Sequence, residues 1–292
     1  MDKAKVYFTK ALTPEAVISM YKVLGQDLPG NVAVKVHSGE EGNQNYLRPE
    51  FLRPMIEAVQ GTVVECNTAY DGARNSTEKH RKLLADHLWT KYFKVDLLDA
   101  EGPDLILPVK GGKVLKENHV GCGIANYDSM LVLSHFKGHP AGGYGGALKQ
   151  LSIGCASTEG KCLIHTGGAS HTSPWGGDQT AFTESMAEAG KSVSDYLKSG
   201  ENIVYINVMN RLSIDCDCDG NPSEPDLHDI GILASTDPVA LDQACVDLIY
   251  ASKDNNTSLI NRMESRQAFN TLAHGEEIGL GSRSYQLISL DK

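Results

Sequence analysis

The sequence predicts an α/β fold built on a mainly parallel sheet with helices on both faces. Three observations predict it. Short apolar runs alternate with helical periodicity along the whole chain, the pattern that generates parallel strands joined by covering helices. Hydrophobic residues at 41% and charged residues at 22% suit a chain with a large packed core. Glycine-rich stretches at 141–146 and 166–177 follow apolar runs, where strands of such a sheet hand over to ligand-binding loops.

The elements follow in order. Val6, Tyr7 and Phe8 form a first strand. Thr13 is a helix N-cap with Pro14 at the first helical position, and the helix runs through 16–24 until Gly25 stops it. A strand at 32–36, a helix over 48–60, a strand at 63–66 and a helix over 77–92 complete a β-α-β-α-β-α series, with Asp71-Gly72 turning into the last helix. Strands at 105–109, 129–133, 162–165, 203–208, 230–234 and 286–290 follow, with helices over 179–197, 237–251 and 262–272 between them. The 292 residues suit one α/β unit, or two lobes over about 1–120 and 121–292.

A formal net charge of -10 and a pI near 5.5 argue against nucleic acid, which needs clustered cations to displace counterions. No apolar stretch is long enough for a signal segment or a membrane span, so a cytoplasmic location without membrane contact is expected. Seven cysteines, an odd number in such a chain, favour reduced thiols or metal ligation over a disulfide framework.

The segment from Ser134 to Lys149 holds most of the chemistry. His135 and His139, Lys137 and Lys149 converge around Gly142, Gly143, Gly145 and Gly146, whose lack of side chains would let a backbone approach a ligand. It is not a Walker A loop, because Lys149 comes three residues after Gly146 and Gln150 replaces the hydroxyl residue. The bland alternative is a mobile turn with a solvated lysine. Downstream, Cys162 and His165, with Cys155 as a third, could ligate nickel, zinc or iron; read as a strand, however, positions three apart point to opposite faces. Cys216 and Cys218 flank Asp217 in a chelating Cys-x-Cys, although neighbouring aspartates would raise the thiol pKa unless a cation offset them. Nothing completes a zinc ribbon or a ferredoxin pattern. Arg74, with Asn67 and Asp71 after the strand at 63–66, could hold a carboxylate or phosphate, as could Arg48. The Trp175 loop, with His171 and Asp178, reads as a lid or a plain surface loop.

These motifs together resemble a known family. Residues 39–50 with Leu47-Arg48-Pro49-Glu50, Asn67-Thr68 with Gly72-Ala73-Arg74, Ser134 to His139, Gly145 to Lys149, Cys216-Asp217-Cys218 and Asp229 to Ser235 are similar, over nearly the whole chain, to domain of unknown function 362. Many members carry a two-cluster ferredoxin module and the label iron-sulfur centre protein. Here residues 166–180 stand in that place without a cysteine.

That family is in turn distantly similar to the nickel-pincer lactate racemases, which implies a fold like their N-domain. Their spacing of a His, an Ala-Gly-x-x-Gly-Gly turn, a Lys ten residues after the His and a His sixteen beyond the Lys is matched by His139, Ala141 to Gly146, Lys149 and His165. The resemblance implies Lys149 as covalent tether of a pyridinium dithio-cofactor, His165 as nickel ligand and His139 as an acid/base group. Where the racemases place a second catalytic His before an Arg, this chain has Ala73 before Arg74, so His80 or His135 would have to substitute.

Three functions stay open. One is a metal-dependent enzyme, racemase- or epimerase-like or an oxidoreductase, acting on a small anionic metabolite such as a 2-hydroxy acid at His139, Lys149 and His165. The second is an iron-sulfur or other metal-binding redox or carrier protein using Cys155, Cys162, Cys216 and Cys218. The third is a metal-free ligand-binding protein. The expected cofactor is a nickel-pincer group or an iron-sulfur cluster, and the expected assembly a homodimer.

Overall fold

The computed structural model describes residues 3–291. The chain runs β1 (Ala4–Thr9), α1 (Pro14–Val23), β2 (Val32–Lys35), α2 (Pro49–Ala58), β3 (Thr62–Glu65), α3 (Thr77–Asp86), α4 (Trp89–Tyr92), β4 (Val95–Leu97), β5 (Leu105–Pro108) and β6 (Glu117–Val120). It continues through β7 (Ser129–His135), β8 (Lys137–His139), β9 (Gly143–Gly145), α5 (Ala147–Leu151), α6 (Thr158–Thr166), α7 (Gln179–Tyr196), β10 (Ile203–Met209) and β11 (Gly231–Ser235). α8 (Pro238–Ala251), α9 (Thr257–Ser265), α10 (Ala268–Glu277) and β12 (Tyr285–Ser289) complete it.

Eight strands form one sheet in the order β12-β1-β11-β10-β7-β2-β3-β4. All neighbours are parallel except β11, which runs antiparallel to both β1 and β10. The expected mainly parallel sheet is therefore present, with strands drawn from both 1–120 and 121–292.

Side-chain alternation divides the core into two layers. Val32 and Val34 of β2, Leu131 and Leu133 of β7 and Val204 and Ile206 of β10 face α1 to α4, against Val17, Met20, Leu52, Met55 and Trp89. Ala33, Met130, Val132, Ile203 and Tyr205 face the opposite layer, against Leu148, Val193, Leu241 and Leu272. Lys35 lies on that second face with no exposed surface, and its role appears at the site.

Several boundaries differ from the sequence reading. Residues 162–165 are not a strand but the end of α6, which starts at an N-cap where Ser157 Oγ accepts from Gly160 N at 3.1 Å. A short apolar run such as Cys-Leu-Ile does not distinguish strand from buried helix by period alone. The helix expected over 77–92 breaks at Leu88, with φ 64°, and the one over 262–272 breaks at Gln267, with φ 51°. β4, β6 and the β8–β9 hairpin are short and were not anticipated.

Candidate active site

The parallel strands β2, β3, β7 and β10 all end at the same edge of the sheet, where loops gather above the carboxyl ends. His37 follows β2; Tyr70 and Arg74 follow β3; Lys137 and His139 follow β7; Cys216, Asp217 and Cys218 follow β10. α5 adds Lys149 and Gln150, α6 adds Lys161 and His165, and the loop after α6 adds Trp175. A narrow cavity of about 70 Å³ is lined by His37, Arg74, His139, Lys149, Gln150, His165, Trp175 and Cys218 among others. It opens into an outer bowl that shares Tyr70, His139, His165, Trp175 and Cys218. Lys149, His139 and His165 thus line one cavity. A shallow polar groove at the opposite sheet edge, between Tyr21, Asp27, Gln60 and Lys94, has no histidine or cysteine in its lining.

Local packing explains how distant residues meet. A Cβ on Gly138 would lie 2.0 Å from the Ile214 carbonyl oxygen, so only glycine lets the hairpin and the loop carrying Cys216 come together. The Gly138 N–H then donates to Ser213 O at 2.8 Å. Asp242 of α8 accepts from the backbone N–H of Ala147 (2.8 Å) and Leu148 (2.9 Å) and from Asn207 Nδ2 (2.7 Å), which fixes the start of α5 and hence Lys149.

His139 is buried, and its Nδ1 accepts backbone N–H groups from Gly142 at 2.8 Å and Ala141 at 3.2 Å. In the neutral ring Nε2 therefore carries the hydrogen, and the ring bonds the Cys216 sulfur. His37 repeats the arrangement: Nδ1 accepts from Gly39 N at 3.1 Å and the ring bonds the same sulfur. Burial, with Lys149 beside His139 and Arg74 beside His37, pushes each imidazole down to about 4. His165 shows the reverse polarity. Its Nδ1 faces the Lys161 carbonyl oxygen at 2.7 Å and its ring stacks on Phe182, so Nδ1 carries the hydrogen and Nε2 keeps a lone pair. Burial holds His165 down to about 3.

Cys216, Cys218 and His139 place their ligating atoms within 4.8 Å of one another. Burial works against a Cys216 thiolate, yet the Cys218 thiol, Lys149, His139 and Lys137 outweigh it and hold Cys216 well below the usual thiol range. Cys218 is pushed up, first by its bond to Cys216 and then by burial. Lys149 and Lys137 are the cations that offset the aspartates of the run at Cys216. Asp217 turns away, accepting from Lys137 Nζ at 2.9 Å and meeting His135 Nδ1 at 2.8 Å. Burial opposes its ionisation, but His135 and Lys137 prevail and keep its carboxyl well below the ordinary range.

Beneath the cavity Glu65 accepts from Lys35 Nζ at 2.6 Å, Ser38 N at 2.8 Å and Ser38 Oγ at 3.1 Å. Burial would raise its carboxyl, but Lys35 outweighs that. Arg74 bonds Glu40 Oε2 at 3.1 Å and the Tyr70 hydroxyl at 2.9 Å, so the guanidinium is braced and only partly free for a ligand.

Other expected site residues lie elsewhere. His135 is fixed between Asp217 and the Asn210 carbonyl oxygen (2.6 Å) and does not line the cavity, and His80 is buried between Ser38 and Asn67. Neither lines the cavity; the imidazole that joins His139 and His165 in its lining belongs to His37. Its only sequence signal was its place just past the strand at 32–36. Cys155 sits in the apolar core with its thiol toward Gln150 O, and Cys162 packs within α6, so neither joins Cys216 and Cys218 and no four-thiolate cluster forms among the described residues. Gly142, Gly143, Gly145 and Gly146 do not line the cavity. Gly143, at φ 81°, approaches Ala268, and Gly146 approaches Asp242, so these two serve packing within the protein.

No curated protein matches this sequence. Among solved structures, the lactate racemase apoprotein from Thermoanaerobacterium thermosaccharolyticum superposes with a TM-score of 0.48 at 9% identity, over 84% of this chain and 57% of that one. A protein from Thermotoga maritima gives a TM-score of 0.44 at 13% identity, over 92% of this chain and 60% of that one. This chain spans less than two thirds of either. The profile of the family described as Domain of unknown function (DUF362) matches residues 32–247, most of the chain, and the chain belongs to that family.

Proposed function

We propose that the chain is a metal-assisted enzyme acting on a small anionic metabolite such as a 2-hydroxy acid, with Lys149 as tether and His165 as metal ligand of a nickel-pincer-type group. One observation carries this reading: His165 turns a lone-pair nitrogen to the cavity that it shares with Lys149 and His139. A carbonyl oxygen on the far ring nitrogen is the arrangement that orients metal-bound histidines. When bound, such a group supplies a two-electron acceptor. His139 fits less well as a ligand, because its Nδ1 already accepts two N–H groups and its Nε2 hydrogen is directed at Cys216. It fits better as the group that holds or moves a proton, with His37 as its counterpart.

The remaining lining suits an anion with several oxygens. Arg74 and Lys149 bring positive charge, and Gln150, whose Oε1 accepts from Lys35 at 3.3 Å, has a buried Nε2 without a partner. A carboxylate or hydroxyl oxygen would satisfy it.

Protein isolated anaerobically from the cell that makes it is expected to contain nickel and to show an intact-mass adduct mapped to Lys149. Lys149→Arg should lose the adduct, and His165→Ala should keep it while losing nickel. Unmodified Lys149 together with the absence of nickel overturns the proposal. If that metal-free protein still bound lactate in calorimetry, a metal-free binding function would replace it.

A further inference from the structure

Away from the cavity, Asp104 before β5, His119 on β6, Glu159 in the first turn of α6 and His171 in the loop beyond α6 meet at one place. Asp104, His119 and Glu159 bring their ligand atoms within 4.8 Å of one another. His119 Nδ1 lies 3.5 Å from Glu159 Oε1 and 3.8 Å from Asp104 Oδ2, and His171 Nδ1 lies 2.5 Å from the same Glu159 oxygen. Two ligands bound tetrahedrally to zinc at 2.0–2.1 Å are about 3.3 Å apart, so Asp104, His119 and Glu159 have the spacing of a three-ligand nitrogen and oxygen set, while His171, too close to Glu159 to share an ion with it, holds that carboxylate by a hydrogen bond.

The surroundings favour a cation over a chance cluster. His119 is more than nine-tenths buried, and its Nε2 faces Glu117 Oε1 at 3.1 Å, so in the neutral ring Nδ1 is a lone pair. That nitrogen is aimed at two carboxylates, an arrangement that repels unless a positive centre, a metal ion or a proton on the ring, lies between them. The carboxylate on the far nitrogen is the outer partner that metal-binding histidines use, and Ser157 Oγ orients Asp104 from 2.5 Å. The sequence builds the approach deliberately: a Cβ on Gly160 would come 1.9 Å from the His119 carbonyl oxygen, so glycine lets the first turn of α6 press onto β6.

We infer that Asp104, His119 and Glu159 form a zinc-type divalent-cation site and that His171, hydrogen-bonded to Glu159, clasps the Trp175 loop to it against β6 and α6. The loop carrying His171 also carries Pro174 and Trp175 into the cavity lining, and α6 carries Lys161 and His165. Occupation of the clasp holds the loop over the cavity; its release frees the loop.

Cobalt(II) added to the chelator-treated full chain tests this. The expected result is one ion per chain whose visible bands come without thiolate-to-metal charge transfer, which separates it from any ion at Cys216 and Cys218. Asp104→Asn with Glu159→Gln should weaken that ion at least about tenfold. Trp89 is fully buried and Trp175 is 69% exposed, so acrylamide quenching reports on the loop. Quenching should fall when cobalt binds to wild type and stay unchanged in His171→Ala. Uptake only with a thiolate band, an unchanged signal in the double variant, or no uptake at all, which would leave a proton as the sole occupant, each overturns the inference.

Discussion

Asp217 is a buried carboxylate shared between an imidazole and an ammonium group, and its removal would leave Lys137 charged and unpaired. Breaking such a pair from one side costs about 3–5 kcal/mol, and Asp217→Asn is expected to destabilise by that order in urea unfolding at pH 7. The folded carboxyl titrates below its unfolded value of about 3.9, so its contribution is complete above that value and disappears as pH falls further. Stability of wild type should therefore drop more steeply below about pH 4 than stability of the Asn variant. Equal slopes would mean that Asp217 is not ionised in the folded protein. The sequence made Cys216 and Cys218 legible as a chelating pair through their spacing. The direction of Asp217 was not legible, because it is set by a lysine and a histidine about eighty residues earlier. His37 was missed for a related reason: a single histidine past a strand gains meaning only when neighbouring strands place other site residues beside it.

At the scale of elements, α5 is too short to hold itself, and Asp242 and Gly146 do that for it. A Cβ at Gly146 would meet Asp242 Oδ1 at 2.5 Å and Phe136 Cδ2 at 2.9 Å, whereas one at Gly145 would meet only the flexible ends of Lys149 and Lys137, at 3.4 Å and beyond. Gly146→Ala is expected to lower stability by about 1–3 kcal/mol and loosen the amide protection of α5 in hydrogen exchange. Gly145→Ala should do neither. Comparable losses in both variants would show that the turn, not the contact with α8, positions Lys149. The glycine-rich stretch was legible as a feature, but its purpose was misread as ligand approach, since sequence alone does not reveal that helices α8 and α10 crowd it. The misread strand at 162–165 has the same origin, because the Ser157 cap and the Gly160 contact lie outside that window.

Across the whole molecule, buried neutral histidines make the fold sensitive to mild acid. His139 sits at about 4 and His80 and His165 at about 3, all lowered chiefly by burial. The unfolded chain takes up these protons from about pH 6.5 downward, before the folded chain does, so stability should fall between pH 6.5 and 5 by up to about 1.4 kcal/mol per imidazole per pH unit. His274, raised by its bonds to Glu188 and Glu277 despite burial, offsets part of this. Urea midpoints at pH 8, 6.5 and 5 check it, and a flat series would mean that these rings are charged or exposed. The parallel block was readable from the alternation of strands and helices. The position of β11 was not, because an antiparallel insertion leaves the hydrophobic pattern of a buried strand unchanged.

That insertion also bears on how the chain is made. Among the described residues β1 pairs with β11 and β12 alone, which lie more than two hundred residues downstream. On the ribosome, Val6 and Phe8 emerge early and then wait while β2, β3, β7 and β10 can already align. Closure of the sheet is thus a late, long-loop step, and β1 is a strand that benefits from a chaperone until its partners are made.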